Sequence, residues 1–188
     1  MEPVPGLRDV RIVQAVGGVG DPAAAAHATR LTGRLAQLAA AEASYLPAPG
    51  LAGSAESAQV LRQDPFVAAS LGQLDDLSVA LVGVGEVRPS STLARSGNAF
   101  APEELGALER MGAVGDICLH FFDADGKPVS SALDERVIGI SREQLLAVER
   151  RVGVAGGERK HEAIRGALRG GLLHVLVTDR ATAQALLA

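Results

Sequence analysis

The sequence predicts an α/β domain, a mostly parallel sheet flanked by helices with a small antiparallel hairpin lobe. Three observations carry that expectation. Short β-branched runs alternate with helical segments along the chain. The run Leu77–Val84 is continuously apolar, as expected of a strand covered on both faces. The chain also holds 22 glycines, several of them grouped where a strand should turn into a helix.

Taken in order, Val10–Val16 is a strand that ends in Gly17-Gly18-Val19-Gly20. Asp21 and Pro22 supply a cap and a first helical residue, and an alanine-rich helix continues over Ala23–Glu42. Pro47, Pro49, Gly50 and Gly53 mark a loop, and Ser54–Arg62 and Pro65–Leu71 read as short helices. The apolar strand ends in Gly83-Val84-Gly85. Glu86–Phe100 is irregular and rich in Ser, Gly and Arg, and Pro102–Met111 is a helix with Glu103 and Glu104 in its first turn. From Asp116 the pattern changes. Ile117–Phe122 and Lys127–Val129 flank an Asp-Gly turn at Asp123–Gly126, and Arg136–Ile140 reads as a third strand of that lobe. Ser141 caps a short helix. Val152–Ala155, the helix Glu158–Arg169, Val175–Val177 and the helix Arg180–Leu187 complete two β–α units.

Composition narrows the function classes. With 188 residues and 47% hydrophobic content the chain is long enough for a real core and is not disordered. Aromatics are 3% and tryptophan is absent, so Ala, Val, Leu and Ile must build that core. A net charge of −4 lacks the electrostatic footprint of a nucleic-acid-binding domain. The single cysteine, Cys118, excludes a disulfide framework and fits a reducing, cytoplasmic location. No apolar run approaches the roughly 20 residues of a membrane span, and the N-terminus has no signal pattern.

The residues that can carry chemistry cluster late in the chain. Paired glycines (Gly156, Gly157) lead into a helix whose first turn carries Lys160. Free N–H groups at a helix start and a nearby cation both favour an anion, so the arrangement points to a small phosphorylated ligand. Lys160 shares a face with Ala163 and Ile164, while Arg159, Glu162 and Arg169 fall opposite. On periodicity alone it either contacts a ligand at the strand ends or pairs structurally with a carboxylate. Asp116 either caps a turn or orders ligand hydroxyls, and it reaches the site only if its strand runs antiparallel. The Gly17, Gly18 and Gly20 loop reads as a tight turn or as a phosphate cradle, with Asp21 placing a negative charge against a nucleotide. Gly83 and Gly85 form a similar turn, followed by Arg88, three hydroxyls at residues 90–92, and Arg95. The four histidines share no metal-ligand spacing, no Ser-His-Asp pattern is present, and neither a metal nor a cofactor is expected.

Gly112–Ile117, Phe121–Gly126, Val137-Ile138-Gly139, Val154–Gly157, Lys160, Ala163-Ile164 and Leu176–Asp179 stand in a recurring order. Leu46-Pro47-Ala48-Pro49, Gln63-Asp64-Pro65 and Leu81–Gly85 agree with it. Together they resemble the C-terminal sugar-binding domain of the SorC-type (sorbitol-operon) bacterial transcriptional regulators. The resemblance spans Val10 to Leu187.

It implies a Rossmann-like fold similar to glucosamine-6-phosphate deaminase and ribose-5-phosphate isomerase, kept as a receptor and not as an enzyme. By position, the family's ligand lysine falls on Lys160. Its acidic ligand residue falls on Asp116, after Gly112 and Gly115. Gly17, Gly18 and Gly20, and the loop after Gly83 and Gly85 with Arg88, correspond to further ligand-facing segments. The family's helix-turn-helix is not in this sequence, nor is the strand and Gly/Thr-rich turn that opens the ligand domain. Residues 1–188 are therefore expected to be an effector domain lacking its first part, in a homo-oligomer that meets operator DNA only through a separate element. An arginine that precedes the first glycines in some relatives is Val16 here. The rival expectation is a sugar-phosphate isomerase or deaminase on the same fold, with Asp116 or Glu86 as base.

Overall fold

The computed structural model describes residues 10–18, 22–88 and 100–188, and over 22–28 the backbone alone. It divides into two units, each with its own core.

Among the described residues the first unit comprises 10–18, 22–76 and 135–140. Strand β1 (Arg11–Val13) pairs in parallel with β2 (Glu42–Ser44) across the crossover helix α1 (Pro22–Ala39). The sequence carries α1 on to Glu42, but the helix stops at Ala39. Ala40 adopts a left-handed φ of 50°, and the Ala41 N–H closes on the Ala36 carbonyl at 2.9 Å. Glycine is the usual residue at such a stop, so neither the stop nor β2 is announced by the sequence. Helix α2 (Ala55–Gln63) is capped by Ser54, whose Oγ accepts the Ser57 N–H at 3.2 Å. Helix α3 (Pro65–Gly72) is capped by Asp64, whose Oδ1 accepts from Phe66 and Val67. Leu46, Ala52, Ala58, Val67 and Ile138 form the core of this unit.

Ile138 belongs there because Arg136–Ile140 does not extend the hairpin lobe. Val137 and Gly139 make single bridges to Leu51 and Val16, and the Ile138 N–H donates to Gly50. The Arg62 guanidinium holds the carbonyls of Glu135 and Val137. The segment's main-chain groups are thus satisfied inside the first unit.

Among the described residues the second unit comprises 77–88, 100–134 and 141–188. Its parallel sheet runs in the order β3 (Val79–Val82), β7 (Arg150–Val154), β8 (Val175–Val177). Its antiparallel sheet runs β4 (Gly85–Glu86), β5 (Gly115–Ile117), β6 (His120–Phe122). Helices α4 (Pro102–Arg110), α5 (Arg142–Ala147), α6 (His161–Arg169) and α7 (Arg180–Leu187) complete it. The apolar strand is covered on one face, not two. Ala80 and Val82 are buried in register with Arg151 and Gly153, whereas Val79 and Leu81 stay 52% and 57% exposed.

The hairpin lobe also differs in detail. The stretch Ile117–Phe122 is not one strand, because Cys118 and Leu119 take left-handed φ values of 55° and 68° and turn β5 back onto β6. Cys118 therefore sits in a turn and not within a core strand. Burial and the Asp116 charge push its thiol up to about 12, which keeps it protonated and unreactive. The Asp-Gly turn follows as expected, with Asp123 Oδ1 accepting from Asp125 and Lys127 and Phe122 bridging Pro128. Val87, Leu108, Ala113, Phe121, Val129 and Leu133 pack this part of the unit.

Arg151 is the main polar feature inside. It is 7% exposed, and its guanidinium donates to the carbonyls of Leu146, Val148, Gly171 and Leu172 at 2.7–3.1 Å. These carbonyls lie at the C-terminal ends of α5 and α6, where main-chain acceptors lack helical partners and a cation is favoured. Arg151→Met is expected to lower stability in urea titrations by ~3 kcal/mol or more, since each buried acceptor left unpaired costs roughly 1–3 kcal/mol. A loss below about 1 kcal/mol would mean that these carbonyls find other partners.

Candidate functional site

The site lies at the carboxyl ends of β3, β7 and β8, the edge at which open parallel sheets take ligands. From β7 the chain passes through Gly156 and Gly157, makes a 3-10 turn over Glu158–Lys160, and enters α6. Ala163 and Ile164 are buried, as the helical spacing requires, and the half-buried Lys160 shares their side. Its Nζ donates to the Val84 carbonyl at 2.8 Å, between Gly83 and Gly85. An ammonium has three donors, so this bond leaves N–H groups for a ligand. One residue earlier, Arg159 Nε meets Glu86 Oε2 at 3.1 Å, a second tie across the same gap.

Asp116 reaches this place because β5 runs antiparallel to β4, with Asp116 opposite Gly85. Its Oδ2 accepts the Leu119 N–H at 3.0 Å, and its Oδ1 occupies the space a Cβ on Gly85 would need. Burial pushes the Asp116 carboxyl above its ordinary range. The Leu119 N–H and the charges of Lys160 and His120 pull it partly back. Of the two roles the sequence leaves open, the carboxylate takes the turn cap, and it lies within reach of the Lys160 charge.

The other expected residues divide. Gly83 is surrounded by open space. Gly112 takes a φ of 88° and ends α4, while a Cβ on Gly115 would come within 2.5 Å of Ala163 and 2.7 Å of the Gly85 carbonyl. These two glycines let β5 close on α6. Arg88 forks onto the Glu109 carboxylate of α4, 2.7 Å between Nη2 and Oε2, and is 74% exposed. Gly17 and Gly18 belong to the first unit, and their N–H groups donate to the carbonyls of Ile138 and Ala48 at 3.1 and 2.9 Å. Gly20, Arg95 and the three hydroxyls lie outside the described residues.

Sequence reasoning missed the third strand end. Asp179 accepts from the Gly157 N–H, and the Thr178 hydroxyl beside Gly156 is buried without a hydrogen-bond partner among the described residues. The signal was there, since Thr-Asp follows an apolar strand as a helix cap should. Among the described residues no group of His, Cys, Asp and Glu is arranged to hold a metal, and no helix is long and apolar enough to cross a membrane. An ammonium and an oriented carboxylate at one sheet edge can together bind a ligand that is anionic at one point and hydroxylated at another.

The family model described as "Putative sugar-binding domain" matches residues 1–188. The chain is 35% identical over 180 residues to the deoxyribonucleoside regulator of Bacillus subtilis, covering 96% of this chain and 57% of that protein. It is 38% identical over 187 residues to the transcriptional regulator LsrR of Klebsiella pneumoniae, covering 97% and 55%. The chain thus spans little more than half the length of these curated relatives. The crystal structure of the full-length sorbitol operon regulator SorC from Klebsiella pneumoniae superposes with a TM-score of 0.87 at 29% identity, over 100% of this chain and 60% of that one.

The geometry around Asp116 fixes a sign. A carboxyl held above its ordinary pKa favours the fold while protonated. That contribution is complete below about pH 4 and is lost as pH rises through the raised value. Asp116→Asn stays neutral and keeps an acceptor for Leu119, so its melting temperature at pH 7 is expected to exceed that of the wild type. The difference should close on acidification. Thermal melts of both proteins from pH 4 to 8 check this, and an equal gap across the range would contradict it.

Proposed function

The chain belongs to the family of sugar-binding domains of SorC-type transcriptional regulators, and we propose that it senses a phosphorylated sugar or related polyol for such a regulator. The observation that carries this reading is the Lys160 ammonium, held at the Val84 carbonyl between two glycines and beside Asp116. The remaining ammonium donors take the phosphate or another anionic oxygen. The Asp116 carboxylate accepts from sugar hydroxyls, and the Thr178 hydroxyl adds a polar contact at the neighbouring strand end. The relatives' names, a deoxyribonucleoside regulator and a sorbitol operon regulator, fit a sugar-like effector.

A net charge of −4 does not supply the positive surface that operator binding needs, so in an intact regulator that role would fall to another part. Effector binding here would alter how copies of the domain pack, and so the spacing of their DNA-binding parts. An enzymatic role would require a base poised beside the substrate carbon. The two candidates are already engaged, Asp116 with the Leu119 N–H and Glu86 with Arg159, and the relatives are named as regulators.

Calorimetric titration with phosphorylated pentoses, hexoses and polyols, beside their unphosphorylated forms, tests the reading. At least one phosphorylated compound should bind, and Lys160→Ala should weaken it roughly 10- to 100-fold, the loss of one charge-assisted bond. Indifference to the whole panel, equal affinity after Lys160→Ala, or steady turnover of a sugar phosphate would each overturn it.

A further inference from the structure

We propose that Asp179 is a positioning residue for Lys160: from the next β–α unit, its carboxylate fixes the Gly156–Gly157 turn and so the direction in which the lysine points. This rests on the reading of Lys160 as the ligand's cation.

As the cap of α7, Asp179 needs one oxygen, and Oδ1 accepts the Thr182 N–H at 2.8 Å. Its second oxygen does something a cap does not require. Oδ2 accepts the Gly157 N–H at 3.0 Å and the Thr182 hydroxyl at 2.8 Å. The fully buried Thr182 returns its own oxygen to the same Gly157 N–H at 2.8 Å. One main-chain donor in the β7–α6 turn is therefore gripped by two side chains of α7.

The turn is shaped to that grip. A Cβ on Gly156 would overlap Asp179 Oδ2, and Gly157 takes a φ of 98° that other residues rarely adopt. From there the connection to the lysine is short. The Gly157 carbonyl accepts the Lys160 N–H at 3.0 Å, which closes the 3-10 turn, and Lys160 Nζ then reaches the Val84 carbonyl at 2.8 Å. The hydrogen bonds of Asp179 go to Gly157 and Thr182, so its effect on Lys160 is exerted through the backbone. A lysine side chain has enough rotatable bonds to wander once its Cα is released, and ordering it carries an entropic cost of up to about 2 kcal/mol. The clamp bears that cost before any ligand arrives. Hydrogen bonds from the Thr182 main chain and hydroxyl hold the Asp179 carboxyl below its ordinary range, so the clamp stays ionised at neutral pH.

The sequence contains two lysines, Lys127 and Lys160, and Lys127 is 74% exposed in the second unit, which makes it an internal reference. The test is the acetylation rate of each lysine by acetic anhydride, read by mass spectrometry on the whole chain without any sugar. Asp179→Ser retains a helix-capping oxygen but is too short to hold Gly157 as well. Asp179→Asn is isosteric but turns its amide donors toward the Gly157 N–H. In both variants the Lys160:Lys127 rate ratio should rise about five-fold, which corresponds to ~1 kcal/mol of lost restraint. A mere capping role would change melting temperature and leave the ratio alone. An unchanged ratio in either folded variant overturns the positioning role, whatever the ligand proves to be. A raised ratio supports it, and it stands even if Lys160→Ala binds sugar phosphates normally, which would remove the ligand reading alone.

Discussion

The carbonyl of Val84 is where the candidate site is tied together. It lies where the chain leaves the parallel sheet at Gly83 and enters the antiparallel one at Gly85. A carbonyl at such a change of sheet has no ladder partner guaranteed to it, and a buried acceptor without a partner is costly. Lys160 supplies the partner from the end of β7. The same bond fixes an ammonium over the sheet edge, so one interaction satisfies the fold and orients the charge. Arg159 and Glu86 repeat the tie, one residue from Lys160 and two from Val84.

The neighbouring carboxyl is held under opposite constraints. Burial disfavours its charge, and the Leu119 N–H and Lys160 only partly compensate. At neutral pH the ionised carboxyl is therefore less well accommodated here than its protonated form. A ligand that brings hydroxyl donors to Asp116 and an anion to Lys160 relieves both, and ligand binding adds stability by mass action. A sensor gains from that arrangement, because the free-energy difference between empty and filled states is what it transmits.

Much of this was legible before any coordinates. The spacing of Ala163 and Ile164 placed Lys160 on the inward side, and the change of pattern at Asp116 was the correct sign of an antiparallel strand. The illegible parts share one cause. Ala40, Cys118 and Leu119 adopt left-handed conformations that sequence reading assigns to glycine or asparagine, so the end of α1 and the first hairpin turn went unseen. Arg136–Ile140 was read as part of the nearest hairpin. Its partners, Leu51 and Val16, are remote in sequence, and local pattern holds no information about them. Exposure of Val79 and Leu81 was equally hidden, since an apolar run does not state how many faces are covered.

The glycines show most clearly where motif reading misleads. Grouped glycines before a helix are usually taken as a main-chain cradle for phosphate. Here the N–H groups of Gly17, Gly18 and Gly157 are already donated to protein oxygens. Gly85 and Gly156 are glycines for another reason, because each Cα lies against a carboxylate oxygen, of Asp116 and Asp179 respectively. Their absent side chains make room for acids and not for an anion. On the proposed reading the attraction for a negative ligand at these turns falls to the Lys160 side chain, whose ammonium makes its hydrogen bond to the Val84 carbonyl and has two further donors. An ammonium is a point charge with rotatable donors and little geometric demand. If the chain binds a sugar as proposed, discrimination among sugars would then come from the acceptor that is fixed, the carboxylate seated on Gly85.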